Sequence, residues 1–412
     1  VFSTGNLAYL EALERPDRAP LPAVRPAADG GLAVCGPVLA QVGVMHLRTA
    51  DVPDIPEPAR DYSVVRVNRN LFTRSRVGVI ATRQAQANTA AGAQYAYGAD
   101  ASFSLASNTE LSGYWARTET QGVPRARPSA SAADTSYRGR FELNGDGVGL
   151  ELEHLFVGDR FDPAIGFLRR DAFRRSYAKG RLSPRPSNLG PVRKMFFEGS
   201  ADYYEDTGGR KETATFTEAL RLEMNNSDRI SVEASDNFER LDAAFDLGNG
   251  VVVPAGEYRF RQLKAQYEMS PSRPLSGFLS VTHGDFYDGS IDEASWRGRV
   301  EFSSRLYAEP TISRSWIRTP HGNGTSDLFG SRVTLTVTPR LFVAALVQYR
   351  SSSNGLTTNA RLRWEYQPGS ELFVVYSDGR STADRRFPGV LENRSVVVKI
   401  TKPSGCHAIS VT

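Results

Sequence analysis

From about residue 38 to residue 401 apolar side chains alternate with polar or charged ones in segments of about ten residues. Trp296, Gly298, Val300 and Phe302 alternate with Arg297, Arg299, Glu301 and Ser303. The same rhythm sets Tyr137, Gly139, Phe141 and Leu143 against Arg138, Arg140, Glu142 and Asn144, and Ala360, Leu362, Trp364 and Tyr366 against Arg361, Arg363, Glu365 and Gln367. Period-two alternation makes a two-faced strand. The pattern predicts strands over 38–48, 62–70, 75–83, 94–107, 108–118, 136–144, 147–157, 172–182, 193–205, 212–224, 229–238, 257–269, 274–284, 294–304, 306–318, 329–338, 340–350, 357–367, 371–378 and 392–401, about twenty in all. A soluble sheet turns its charged face to water, whereas a membrane barrel turns it inward.

Turn chemistry supports the barrel alternative. Asn, Gly and Pro supply tight reversals at 144–147, 225–228, 270–273, 338–340 and 367–370. Longer polar stretches fall between them, at 119–135, 158–171, 239–256, 284–293, 319–328 and 379–391. Short and long connections alternate as they do in outer-membrane barrels, provided that a strand occupies the region around Phe173 to Arg181. Trp296 and Tyr349 near outer strand ends, with Trp364 and Tyr366 near an inner end, match interfacial girdles. A soluble propeller would show a repeat of about forty residues, and none is visible.

The 412 residues allow two or three ordinary domains or one large sheet. Mean hydropathy of −0.37 decides little, because only half of each barrel strand meets lipid. The longest apolar run, Leu341 to Val347, is far too short for a spanning helix. The net charge of +4 comes mainly from arginine, interleaved with acids in the same strands, which argues against nucleic acid as a partner. Cys35 and Cys406 make neither a disulfide framework nor a metal motif, as suits a bacterial envelope protein. Residues 1–31 read as an irregular lead-in, with a short helix near Leu7 to Leu13 followed by Pro16, Pro20, Pro22 and Pro26.

Several strings resemble a family of bacterial outer-membrane β-barrels of unassigned function, usually found C-terminal to a family-9-like carbohydrate-binding module. They are Arg74-Ser75-Arg76-Val77-Gly78, Gly158-Asp159-Arg160-Phe161-Asp162-Pro163-Ala164-Ile165-Gly166-Phe167, Gly256-Glu257-Tyr258-Arg259-Phe260 and Gln348-Tyr349-Arg350. They continue with Asn359-Ala360-Arg361-Leu362-Arg363-Trp364-Glu365-Tyr366, Pro368-Gly369-Ser370-Glu371-Leu372-Phe373-Val374-Val375-Tyr376 and Asn393-Arg394-Ser395-Val396-Val397-Val398-Lys399. The match covers roughly residues 30–400 and implies a large antiparallel transmembrane β-barrel over residues 32–401, in the bacterial outer membrane. The companion module implies glycan-like solutes. Residues 1–29 do not resemble what precedes the family barrel, so the expectation is a barrel incomplete at its N-terminal end. Residues 402–412 are a divergent tail, because Lys402-Pro403-Ser404-Gly405-Cys406 replaces the aromatic end of the family's last strand.

Candidate chemistry is sparse. His46, His154, His283, His321 and His407 lack zinc-ligand spacing, and no nucleophile-elbow string occurs; no catalytic residue, cofactor or metal is expected. The stretch from His283 to Glu293, including Asp285, gathers carboxylates beside Phe286 and Tyr287 and reads as a solvated outer loop, while Asn144-Gly145-Asp146-Gly147 reads as a hairpin rather than a calcium loop. Arg138, Arg140, Glu142, Glu151, Glu153, Arg297, Arg299, Glu301, Arg361, Arg363 and Glu365 are the expected lumen lining, arranged to neutralise one another. Arg160, Phe161, Asp162, Pro163, Gly166, Arg169 and Arg170 form the expected constriction or ligand-contacting loop, shaped by Pro163 and Gly166. The reading is a porin-like channel or surface receptor with outer-membrane lipid and a glycan or small solute as partners. The alternatives are a membrane-embedded hydrolase with a loop-borne site, using His283 and Asp285, and a soluble β-rich binding protein.

Overall fold

The structure is a computed structural model that describes residues 26–35, 40–49, 59–72, 74–86, 92–122, 134–166, 168, 170–246, 251–383 and 389–401. Among them there are strands and turns and no helix. The chain divides into two compact units, one built mainly from residues 9–182 and 199–216, the other from residues 183–198 and 217–408.

The first unit holds β1 (Pro26–Cys35), β2 (Ala40–Thr49), β3 (Arg60–Leu71), β4 (Ser75–Gln86), β5 (Gln94–Ala106), β6 (Thr109–Thr120), β7 (Thr135–Asn144), β8 (Val148–Val157) and β9 (Phe173–Leu182). Each pairs antiparallel with the next. Residues of β10 (Val192–Asp206) and β11 (Lys211–Met224) belong partly to each unit. The second unit continues with β12 (Arg229–Leu241), the two-residue strands β13 (Phe245–Asp246) and β14 (Val252–Val253), β15 (Gly256–Met269), β16 (Leu275–Phe286), β17 (Gly289–Ser303) and β18 (Leu306–Thr319). It ends with β19 (Gly322–Thr338), β20 (Leu341–Arg350), β21 (Gly355–Gln367), β22 (Ser370–Ser381) and β23 (Val390–Thr401). From β15 onward, and between β12 and β15, neighbours again pair antiparallel. The protein is therefore all-β, an antiparallel array of long strands with one small hairpin.

Register carries the alternation across strands. In the second unit Leu279, Trp296, Ile312, Phe329 and Tyr349 stand opposite one another along β16 to β20. Two steps toward the short-turn end from Trp296, Gly298 faces Gly277, and a Cβ on Gly298 would lie 2.5 Å from the Trp296 indole. The indole thus covers the glycine that a strand would otherwise leave bare. Apolar side chains on this face remain open: Leu279, Val281, Ile312, Phe329, Val333 and Leu335 are all exposed. In the first unit Val79, Leu111, Trp115, Tyr137 and Leu152 are exposed in the same way. Among the described residues no second layer covers these faces, whereas a soluble sheet buries one of its two.

Three features differ from the sequence expectation. Residues 26–31, read as lead-in, lie in β1, which the β2 ladder holds despite Pro26, Gly30 and Gly31; the expected helix and the tail at 402–412 lie outside the described residues. The stretches 284–293 and 319–328 are not long loops. Strands run through them and close in two-residue turns, Tyr287–Asp288 and Pro320–His321. Charged residues occupy the otherwise apolar face there, so the alternation of polarity stops while the strand continues.

At the opposite end, Asp228 ties two hairpins together. It accepts hydrogen bonds from the Tyr267 hydroxyl (2.7 Å), the Ser270 amide (2.9 Å) and Arg273 Nη2 (3.0 Å). These donors hold its carboxyl down at about 2, from 3.8. A lowered folded value means that the contribution is complete above the unfolded value and disappears as pH falls through about 2. Asp228→Asn should lower the thermal midpoint at pH 6 and flatten the fall in stability between about pH 4 and pH 2, as followed by tryptophan fluorescence on refolded protein. An unchanged acid limb would remove Asp228 from this role.

Candidate functional site

The polar face of the first unit carries a connected line of charge. Antiparallel register sets Arg140 opposite Glu153, Glu142 opposite Glu151 and Leu155 opposite Arg175. Glu153, buried, accepts from Arg138 Nε at 2.8 Å and from Arg175 Nη1 at 2.8 Å. Arg175 also grips Asp202 with both arms of its fork, Nε to Oδ1 at 2.7 Å and Nη2 to Oδ2 at 2.9 Å. Its guanidinium lies 5.0 Å from the Tyr177 ring and 5.5 Å from the Tyr204 ring. Beside this line Arg140 pairs with Glu151 (2.7 Å) and Glu142 (2.8 Å).

The connection after β8 folds down onto this polar face. Phe161 is buried with Val157 and Phe173, and Ala116, Leu155, Leu168 and Tyr204 pack against the three. Thr118, also buried, receives the Asp162 amide at 3.2 Å and donates to the Arg160 carbonyl at 3.5 Å. The segment is shaped internally by the Gly166 amide on the Pro163 carbonyl (2.9 Å), the Ala164 amide on Asp162 Oδ1 (3.1 Å) and a left-handed Ala164 at φ +41°. One apolar anchor and one hydroxyl thus pull a polar loop over a charged surface.

The expected loop residues separate by role. Arg160, Asp162 and Gly166 are exposed, Pro163 is half-buried and Phe161 is the anchor. Arg170 pairs with Glu212 and lies 5.5 Å from both the Phe173 and Tyr204 rings. Arg169 lies outside the described residues. Of the expected lumen residues, Arg138, Arg140, Glu142, Glu151 and Glu153 come together here. The others belong to the second unit and do not form one cluster. Arg299 pairs with Glu301 on its own strand (2.9 Å), and its guanidinium lies 3.8 Å from the Tyr307 ring centroid. Arg363 pairs with Glu371 between the Phe342 and Phe373 rings. Glu365 accepts the Gly369 amide of its turn (3.0 Å), and Arg297 and Arg361 are exposed.

Sequence reasoning missed Thr118, Arg175, Asp202, Tyr204 and Glu212. Arg175 and Asp202 sit at alternating polar positions, but only register shows that they meet. Of the two residues named for a loop-borne hydrolase site, His283 meets Asp292 rather than Asp285: its Nδ1 lies 2.7 Å from Asp292 Oδ1, and Asp292 Oδ2 accepts from Arg318 (2.7 Å), on the apolar face. No group of three or more His, Cys, Asp and Glu side chains has a metal-holding arrangement among the described residues.

No family model matches the chain, and no curated protein does. Among solved structures, the open form of the ferric-catecholate import receptor Fiu from E. coli K12 is similar over 90% of this chain and 70% of its own, at 9% sequence identity and a TM-score of 0.42.

Removing the anchor should release the loop. Phe161→Ala is expected to cost about 3 kcal/mol of local stability and to speed protease cleavage within residues 158–170 by on the order of 100-fold. Cleavage at the wild-type rate would show that Thr118 alone holds the segment.

Proposed function

We propose that this chain is the wall of an outer-membrane β-barrel whose polar face lines a charged passage for small solutes, narrowed by the segment from Gly158 to Gly166. One observation carries the reading: exposed apolar side chains occupy one face of the strands in both units, while the opposite face holds the ion-pair line. Lipid is the solvent that such an apolar face requires, and ladder pairing satisfies the backbone groups that lipid cannot. On β17 the apolar row from Ala294 to Phe302 spans nine residues, the length a tilted strand needs to cross a hydrocarbon core.

The paired charges on the polar face suit passage rather than tight capture, since Arg138, Arg140 and Arg175 each already have a carboxylate neighbour. Arg160 and Asp162, exposed on the folded loop, offer a donor and an acceptor to a passing polar solute. Glycan-like solutes fit that mixed lining, and the resemblance to barrels that follow carbohydrate-binding modules favours them. Solute movement along such a wall requires no catalytic group.

Planar-bilayer recording of the full-length protein should give discrete conductance steps, and Phe161→Ala should raise the unit conductance by freeing the loop. Absence of conductance from protein that floats with lipid vesicles would overturn the channel reading. Failure to associate with vesicles at all would overturn the membrane reading.

A further inference from the structure

Above the apolar rows of the second unit, the same face changes character. Leu263, His283, Asp292, Trp316 and Thr325 stand in one row, and Arg318 lies in the next row out, opposite Ser290 and Asn323. Arg314 faces Asp327 at the boundary, two residues from the Ile312 and Phe329 row. Arg261 lies opposite Asp236 on β12. This charged ribbon accounts for the extra length of β16 to β19 beyond the strands expected from sequence.

The charges are paired, yet they are not equally presented. Arg261 is 81% exposed and its partner Asp236 46%; Arg314 is 51% exposed and Asp327 21%; Arg318 is 58% exposed and Asp292 36%. Short carboxylates lie close to the sheet, while long guanidiniums project past them. Each fork has five N–H donors; one nitrogen of Arg261 and one of Arg318 hydrogen-bond to their carboxylates, at 3.0 Å and 2.7 Å, while Arg314 lies 3.3 Å from Asp327 as an ion pair. Arg259 adds a fourth cation, with its guanidinium 6.0 Å from the Phe238 ring. The Trp316 ring, 5.6 Å from the Arg314 guanidinium, marks the apolar-to-polar transition as interfacial tryptophans do.

We propose that this ribbon binds the headgroup of an anionic lipid bearing more than one phosphate, with its acyl chains lying on the apolar rows below. The inference rests on the membrane reading above. Four residues separate Arg314 from Arg318, about 13 Å along the strand, and three strand spacings separate Arg261 from Arg318, about 14 Å. Guanidinium forks match phosphate oxygens geometrically. Spread over that distance, they favour a headgroup with separated phosphates over a single one. The nearby carboxylates hold the arginine stems in place and disfavour a purely electrostatic, unspecific film of anions.

The test uses the full-length protein in neutral detergent, titrated with bisphosphorylated lipid A or with phosphatidylcholine and read by native mass spectrometry. Lipid A should bind preferentially, and Arg261→Gln/Arg314→Gln/Arg318→Gln should weaken it by about tenfold or more, while the corresponding lysine triple variant retains part of the affinity. Excess inorganic phosphate should not displace the lipid; displacement would indicate a free-phosphate site and overturn the lipid assignment. Equal binding of both lipids, or an unchanged affinity in the glutamine variant, would also overturn it. Flotation of wild type and variants with phosphatidylcholine vesicles separates the two readings, because loss of flotation in wild type defeats the membrane reading itself, whereas normal flotation without lipid A preference defeats this inference alone.

Discussion

An apolar sheet face on which no described residue packs as a second layer is the constraint on which the rest of this protein depends. At roughly 25 cal/mol per Å², leaving exposed rows of Leu, Val, Ile and Phe in water opposes folding across both units. Ladder hydrogen bonds hold the strands together but do not cover their side chains. A fold of this kind is stable only where its surroundings supply the missing layer, and in the proposed reading that layer is lipid.

The two faces handle charge in different ways. On the polar face of the first unit, Glu153 is shared by Arg138 and Arg175, and Asp202 completes a line whose members are half-buried or buried. Such pairs specify geometry, because removing one partner leaves the other desolvated. At the loop end of the apolar face in the second unit, Arg261, Arg314 and Arg318 are tethered on one side and open on the other. Their pairing with carboxylates is worth little as stability, and the guanidiniums are more exposed than the acids they pair with.

Phe161 shows how a loop acquires a position in such a protein. The loop itself is polar and contains Pro163 and Gly166, so its composition says only that the chain turns. Its place comes from one aromatic ring inserted beside Val157 and Phe173 and from the hydroxyl of Thr118, forty-four residues away from Asp162 in sequence.

Period-two alternation by itself determined that this chain forms long antiparallel strands with one apolar and one charged face, because side-chain direction in a strand follows directly from residue order. Tight turns such as Asn225 to Asp228 were equally legible from their residue types. The sequence did not reveal where strands end when both faces become polar, as at His283 to Asp292, nor that Pro26–Cys35 pairs into the sheet. Those depend on ladder partners. The meeting of Arg175 with Asp202, of Phe161 with Phe173, and of Arg318 with Asp292 was decided only by the tertiary structure, because register and loop folding join residues whose separation along the chain carries no trace of their contact.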